Sequence, residues 1–270
     1  MDSICCAKCH SKNVIAYGKY KPYQKWKCKD CGTQFSERSL SFFCRSRFPE
    51  EVIKNTVLFT LFVSTRNAAF LLHETLQFSV SHMSPYRWMK RFAYLLQGMQ
   101  RRPLAFSNIW HADEKFVRVK GCKEFAYLWV VMDDKNSIIA VHVSAHRDTA
   151  GAKAVLKLAL QHAGKPPDIL VTDGLPAYPK ACKNILGRKV KHVPAHFEAA
   201  KFMHHKRYYT LSNNRIESLN SKINLWYKKF RGFKSLETAN LWCIMWMHFY
   251  NFMRPRTIEK ELLSIRQVIV

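Results

Sequence analysis

The chain has 270 residues, enough for one main domain with small appendages and too few for three full domains. Lys and Arg number 44 against 19 Asp and Glu, a net charge of +25 with a pI of about 9.9. That excess points to a polyanion, nucleic acid first, because neutralising phosphates releases counterions. A membrane partner is not expected, since the apolar runs 57–63 and 241–253 fall short of the roughly 20 residues of a bilayer span. Nothing at the start reads as a secretory leader, and nine cysteines with two Cys-x-x-Cys pairs suit a reducing compartment and metal binding better than disulfides. A cytoplasmic, nucleoid-associated protein is the expectation.

The first element is Cys6-Ala7-Lys8-Cys9, followed after eighteen residues by Cys28-Lys29-Asp30-Cys31. Two such knuckles around a hairpin, with Gly18 and Pro22 as breakers and Tyr17, Tyr20 and Trp26 as strand formers, predict a zinc ribbon over 1–46. Cys6, Cys9, Cys28 and Cys31 would hold one structural Zn²⁺, since four thiolates leave no open position for chemistry. Cys5 is an alternative first ligand with a less suitable gap. Lys25 and Lys27 are candidates to face phosphates, with a merely solvated ribbon as the alternative.

From Pro49 the apolar spacing turns helical. Pro49-Glu50-Glu51 places proline and acids in a first turn, and Ile53, Val57, Leu58, Leu61 and Phe62 continue the face. Ser64 opens a second helix and Ser84-Pro85 a third, whose Arg87, Lys90 and Arg91 sit among aromatics. Three short helices over 47–102 predict a helix-turn-helix with the last helix reading DNA; a plain linking bundle is the alternative.

A larger domain follows over 103–256. Strands are expected over 108–119, 125–132 and 137–143, then a helix capped by Asp148 or Thr149 and running to about His162. A short buried strand over 168–174 comes next, then a helix over 177–186, a strand over 189–193, a basic loop around Lys201 to Tyr209, and a helix capped by Ser212 or Asn213 that runs to about Phe230. The order implies an α/β core with a mixed sheet flanked by helices. Residues 241–247 read as a core or dimer helix and 257–270 as a tail.

Asp113 lies in the first of these strands, Asp173 ends the fourth, and Glu217 sits near the apolar stripe of Ile216, Leu219, Ile223 and Trp226. Paired divalent ions suit phosphodiester chemistry and need carboxylates to hold them. If the first and fourth strands are neighbours, the two aspartates project side by side. His111 shares the strand face of Asp113, and a hydrogen-bonded structural role is favoured for it.

Trp110-His111-Ala112-Asp113-Glu114, Val171-Thr172-Asp173-Gly174 and Asn213-Asn214-Arg215-Ile216-Glu217 together resemble the catalytic series of DDE transposases from prokaryotic insertion sequences. The likeness is greatest to the insertion-sequence family numbered six and its relatives. It runs over roughly 108–255 and includes Arg231-Gly232-Phe233 and Asn251-Phe252-Met253-Arg254-Pro255.

The resemblance implies a ribonuclease-H-like core and makes Asp113, Asp173 and Glu217 the catalytic ligands of two Mg²⁺ or Mn²⁺ ions. Glu114 is the rival to Asp113; strand parity sends the two to opposite faces, and the family motif selects the aspartate. It further implies binding to terminal inverted repeats and target DNA, metal-dependent cleavage and strand transfer, and a homodimer or higher assembly. Lys206, Arg207, Arg215 and Lys222 join the candidate DNA contacts. Two departures stand out: the interval between Asp173 and Glu217 is longer than usual, and Asn224 stands where a cation is usual. A nuclease that joins nothing and a dead DNA-binding regulator are the competing expectations.

Overall fold

The structure is a computed structural model that describes residues 4–6, 8–20, 23–36, 43, 46–99, 105–122, 125–195, 200–204, 207–211, 214–228 and 232–253. The chain divides into two compact units, one reaching to Lys54 and the other beginning at Asn55. None of the helices among the described residues is long and apolar enough to cross a membrane.

In the first unit, β1 (Val14–Tyr20), β2 (Tyr23–Cys28) and β3 (Gln34–Ser36) form an antiparallel sheet in that order. Its core is small: buried Cys6, Cys28 and Phe35, with Ile4, Val14, Trp26 and Cys31 packed against them. The two knuckles are tied together by polar groups. Asp30 accepts from Ser11 and from Asn13 at 2.8 Å, and Lys29 N–H donates to Asn13 O at 2.9 Å.

Helix α1 (Glu50–Thr60) begins right after Pro49, with Glu50 and Glu51 in its first turn. Helix α2 (Thr65–Leu76) is capped by Ser64, whose hydroxyl accepts from Asn67 N–H, and ends at Gln77 in the left-handed region at φ 57°. Helix α3 (Met83–Met99) starts one residue before the expected Ser84 cap. The Ser81 hydroxyl instead accepts from Met83 N–H at 3.4 Å, and Pro85 falls inside the first turn where its missing N–H costs nothing.

The second unit is built on a five-stranded sheet of β4 (Ile109–Val117), β5 (Ala126–Asp133), β6 (Ile138–Ser144), β7 (Ile169–Thr172) and β8 (Lys191–Pro194). The order is β6-β5-β4-β7-β8, with β4 antiparallel to β5, β5 to β6, and β4-β7-β8 parallel. Three antiparallel strands continued by two parallel ones, with helices on the faces, is the ribonuclease-H-like arrangement. The first and fourth strands of the domain are therefore neighbours, as the aspartate argument needs.

One face is covered by α4 (Thr149–Ala163) and α5 (Ala177–Ile185). Trp110, Ala112, Trp129, Val131 and Ile139 of the sheet pack there on Ala152, Val155, Leu156, Ala159, Tyr178 and Ala181. Asp148 caps α4, accepting from Gly151 N–H at 2.9 Å. Gly151 is required: a Cβ there would lie 2.6 Å from the Trp129 indole. That indole is pinned by donating to the Ser144 hydroxyl at 2.8 Å.

The region expected as a basic loop is instead a hairpin, β9 (Ala200–His204) with β10 (Arg207–Leu211), pairing Tyr209 with Phe202 and Tyr208 with Met203. Aromatic and β-branched residues at paired positions favour strands even among cations. The hairpin sits within the long interval before helix α6 (Asn214–Tyr227), which buries Ile216, Leu219, Ile223 and Trp226. The expected cap at Ser212 or Asn213 lies outside the described residues.

Beyond α6, Gly232 adopts φ +98°, where an added Cβ would lie 3.0 Å from Arg118 O, and Phe233 N–H donates to Arg118 O while Phe233 O accepts from Lys120 N–H, each 2.8 Å. The Gly-Phe pair of the sequence motif thus pins the chain to the end of β4. Helix α7 (Leu236–His248) is capped by Ser235 and buried from Leu241 to Met247 without a break, as a core helix should be. It is followed by a π-helical turn, Phe249–Met253. Asn240 of α7 takes Val143 N–H at 2.8 Å and gives to Val143 O at 3.0 Å, while Asn251 does the same for Ile138 at 2.9 and 2.8 Å.

Candidate active site and candidate metal centres

Asp113 projects from β4 and Asp173 follows the last residue of β7, one step beyond the pairing of Ala112 with Thr172. Gly174, at φ 93°, turns the chain immediately after, and Asp173 Oδ1 accepts from Leu175 N–H at 3.1 Å. The adjacency follows from the fold: β7 ends at Thr172 beside the middle of its parallel neighbour β4, so Asp173 emerges next to Asp113.

Asp113, Glu114 and Asp173 each bring a carboxylate oxygen within 4.8 Å of the others. Parity does put Asp113 and Glu114 on opposite faces, for Asp113 meets α6 while Glu114 meets Tyr178 of α5. It does not keep their carboxylates apart, because β7 stops at Thr172 and leaves the flank of β4 beyond Ala112 unpaired on that side.

The electrostatics fit a cation site. Burial, then the neighbouring Glu114 and Asp173 charges, push the Asp113 carboxyl up to about 7. Burial is also the main reason the Glu114 carboxyl is raised. A cation would relieve the mutual repulsion of these carboxylates, and carboxylate oxygens suit a hard divalent ion such as Mg²⁺ or Mn²⁺.

Glu217 is not part of that group. It lies exposed in the first turn of α6, and its carboxylate falls outside the 4.8 Å cluster. Asn220, one turn on and adjacent on the helix surface, is what reaches Asp113: its Nδ2 donates to Asp113 Oδ2 at 2.6 Å. Its Oδ1 is buried without a partner. Arg215 donates to Asp134 O and fastens the start of α6 to the turn after β5. His111 is 3% exposed with an unpartnered Nδ1, and burial, then the Arg215 charge, hold it down at about 4.

The candidate DNA contacts differ in their surroundings. Lys25 is exposed on β2 and Lys27 lies over the Tyr17 ring at 5.4 Å. Arg87 and Arg91 are exposed on α3, and Lys90 pairs with Glu237 of α7 at 2.9 Å between the Tyr86 and Tyr94 rings. Lys222 stands over Tyr250 at 5.8 Å. Lys206 and the side chain of Arg207 lie outside the described residues.

The thiols of Cys6, Cys9, Cys28 and Cys31 also lie within 4.8 Å of one another. Cys6 and Cys31 Sγ are 3.5 Å apart, Cys9 and Cys28 Sγ 3.6 Å. A tetrahedron with Zn–S bonds of about 2.3 Å has edges of about 3.8 Å, so the donor set fits zinc. The Thr33 hydroxyl and N–H hold the Cys31 thiol down at about 6, favouring the thiolate. Cys5 is not among the four.

Three residues of the carboxylate site escaped the sequence reading: Arg147, Tyr178 and Asn220. Arg147 and Tyr178 contact Glu114, and Arg147 also stands 3.9 Å from Asp173 Oδ2. The only hint for Asn220 was its place one turn after Glu217; nothing marked Arg147 beyond its position before the α4 cap.

A family model described as a DDE domain matches residues 107–252. Among curated relatives, the transposase for insertion sequence-like element IS431mec of Staphylococcus aureus is 24% identical over 193 residues, covering 68% of this chain and 84% of the relative. The transposase for insertion sequence element IS257 in transposon Tn4003, also from Staphylococcus aureus, is 24% identical over 152 residues, covering 54% and 66%. Of solved structures, the HTLV-2 integrase catalytic core domain aligns with TM-score 0.36 and 16% identity over 63% of this chain and all of that one. The Mos1 transposase catalytic domain aligns with TM-score 0.26 and 14% identity over 60% and 88%. With the family model spanning the whole sheet and the helix that carries Glu217, the chain belongs to the DDE transposases of insertion sequences, enzymes of metal-dependent DNA cleavage and strand transfer.

Proposed function

We propose that Asp113, Asp173 and Glu217 hold two Mg²⁺ or Mn²⁺ ions with which this chain cuts DNA at the terminal inverted repeats of its insertion sequence and joins the freed 3′-OH to target DNA. The observation that carries the reading is the meeting of the Asp113 and Asp173 carboxylates within 4.8 Å, where β7 ends beside the middle of its parallel neighbour β4. Bound there, a pair of divalent ions supplies an activated oxygen nucleophile and neutralises the phosphate and the leaving oxygen.

The chain's own part is positioning. Asp113 and Asp173 are fixed by the sheet, and Asn220 holds Asp113 against α6. Glu217, exposed one turn away on the same helix, completes the ligand set by turning its side chain toward Asp113 when cations and DNA are present. Arg215, at the helix start, keeps α6 in place while that happens.

Around this centre we assign 1–46 as a ribbon stabilised by one Zn²⁺ on Cys6, Cys9, Cys28 and Cys31, 47–102 as a helix-turn-helix, 103–256 as the catalytic domain and 257–270 as a tail. Lys25, Lys27, Arg87 and Arg91 contact the inverted repeats; Lys206, Arg207, Arg215 and Lys222 are assigned to DNA contact by their charge. The net charge of +25 supports a DNA-binding chain. Because two element ends must be brought together, a homodimer or larger assembly does the work, in the cytoplasm at the nucleoid.

The test is substitution of each acid: Asp113→Asn, Asp173→Asn and Glu217→Gln. Cleavage and strand transfer on a DNA carrying the element's ends should be lost in all three, with DNA affinity in a gel-shift assay retained. Wild-type strand transfer in either aspartate variant sinks the site; wild-type transfer in Glu217→Gln alone removes only the third ligand.

A further inference from the structure

The sheet brings one more acid to the site than the two aspartate ligands. Glu114 lies within 4.8 Å of Asp113 and Asp173, yet its side chain is only 3% exposed and both of its oxygens are engaged. Arg147 donates to Oε1 through Nε at 2.8 Å and through Nη2, and the Tyr178 hydroxyl donates to Oε2 at 3.1 Å. The same guanidinium stands 3.9 Å from Asp173 Oδ2.

Arg147 is itself held from behind. The next residue, Asp148, caps α4, and the Ser144 hydroxyl, which accepts from Trp129, donates to His146 O at 2.8 Å. Trp129 in turn meets the Tyr178 ring edge-on with centroids 5.9 Å apart. The clamp on Glu114 is thus braced by the core beneath it.

We propose that Arg147 is a positioning residue of the carboxylate site: by gripping Glu114 and flanking Asp173, it withholds Glu114 from the metal ions and leaves the two aspartates as the sheet's ligands. This rests on the carboxylate reading given under Proposed function. Mg²⁺ keeps near-octahedral coordination and takes only one or two carboxylates where it must also bind phosphate oxygens. A released Glu114 would add a negative ligand, so cations would bind more tightly while the positions needed by DNA oxygens would be filled. Tighter metal with slower chemistry is the signature, and loss of mere structural support would not produce it.

The experiment is a Mn²⁺ titration of the full-length, zinc-loaded chain without DNA, read by electron paramagnetic resonance of free Mn²⁺, beside a strand-transfer assay. Mn²⁺ is hard enough to leave the thiolates to zinc. Arg147→Ala should bind Mn²⁺ about tenfold more tightly and transfer strands about 10 to 100 times more slowly, the range usual for groups that orient metal ligands. Glu114→Gln with Arg147→Ala should return Mn²⁺ affinity to the wild-type value, because the amide is a poor ligand. Arg147→Lys, which keeps the charge but not the fork, should fall between and covers the case in which Arg147→Ala does not fold.

Unchanged or weaker Mn²⁺ binding in Arg147→Ala, or in Arg147→Lys if only that variant folds, overturns the proposal. Asp113→Asn separates the two ideas. If it binds Mn²⁺ as the wild type does, the carboxylate reading fails and the clamp with it; if it loses Mn²⁺ while the Arg147 variants gain nothing, the clamp alone fails.

Discussion

Four thiols in one compact unit and three carboxylates in the other each gather within reach of a cation, yet they rest on different foundations. The ribbon's buried core is two of its own cysteines and Phe35, so removing the ligands removes most of what is inside. The carboxylates stand where β7 ends beside the central strand of a five-stranded sheet whose helix-facing side alone buries Trp110, Trp129, Leu156 and Tyr178. A zinc ion on the four thiols would make the first unit's fold, whereas in the second unit the fold makes the place for an ion. Like-charged carboxylates are a cost that a large core can carry and a module of three short strands cannot.

The sharpest break of that contrast is metal removal. Stripping zinc with a strong chelator, or the substitution Cys28→Ser, should unfold the ribbon, since structural zinc contributes on the order of 10 kcal/mol to such modules. Hydrogen exchange should then show amides of β1 and β2 unprotected while those of β4, β5 and β7 keep their wild-type protection. Retained protection in the stripped ribbon would mean that its strands do not depend on the metal.

A smaller effect is expected from Gly151→Ala in the larger unit. The added methyl has no room beside Trp129, and overpacking of a tight core costs about 1 to 3 kcal/mol. Urea unfolding measures that loss. Because Trp129 leads through Ser144 to the loop carrying Arg147, strand transfer should fall more than stability alone explains.

The smallest effect concerns protons. Burial, then the nearby His162, lowers His248 to about 4 from its ordinary 6.5. The unfolded chain therefore takes up a proton that the folded chain refuses, and stability present above pH 6.5 is lost as pH falls toward 4. In His248→Phe the fall in Tm over that window should be shallower by a few degrees. An identical slope in both proteins would locate the acid sensitivity elsewhere.

Much of this was legible in the residues, for reasons that differ from element to element. The strand carrying Asp113, the short one ending at Asp173 and the α4 cap at Asp148 announced themselves through alternation, a compact apolar run and cap chemistry. The hairpin over 200–211 did not, because its lysines, histidines and arginine hid the pairing of aromatic positions. Parity sorted Asp113 from Glu114 by face but could not show where β7 would stop. No local pattern tells that Asn220 rather than Glu217 meets Asp113 in this state, since that depends on how far α6 slides along the sheet. Arg147 was invisible for the same reason: its partner is 33 residues earlier, reached only through the fold.

The two asparagines that answer Val143 and Ile138 also bear on how copies can meet. Their amides occupy the N–H and C=O of Val143 and Ile138, where a further strand on β6 would hydrogen-bond. A second copy that paired with β6 as a further strand would first have to displace both amides, so joining edge to edge through that margin is disfavoured.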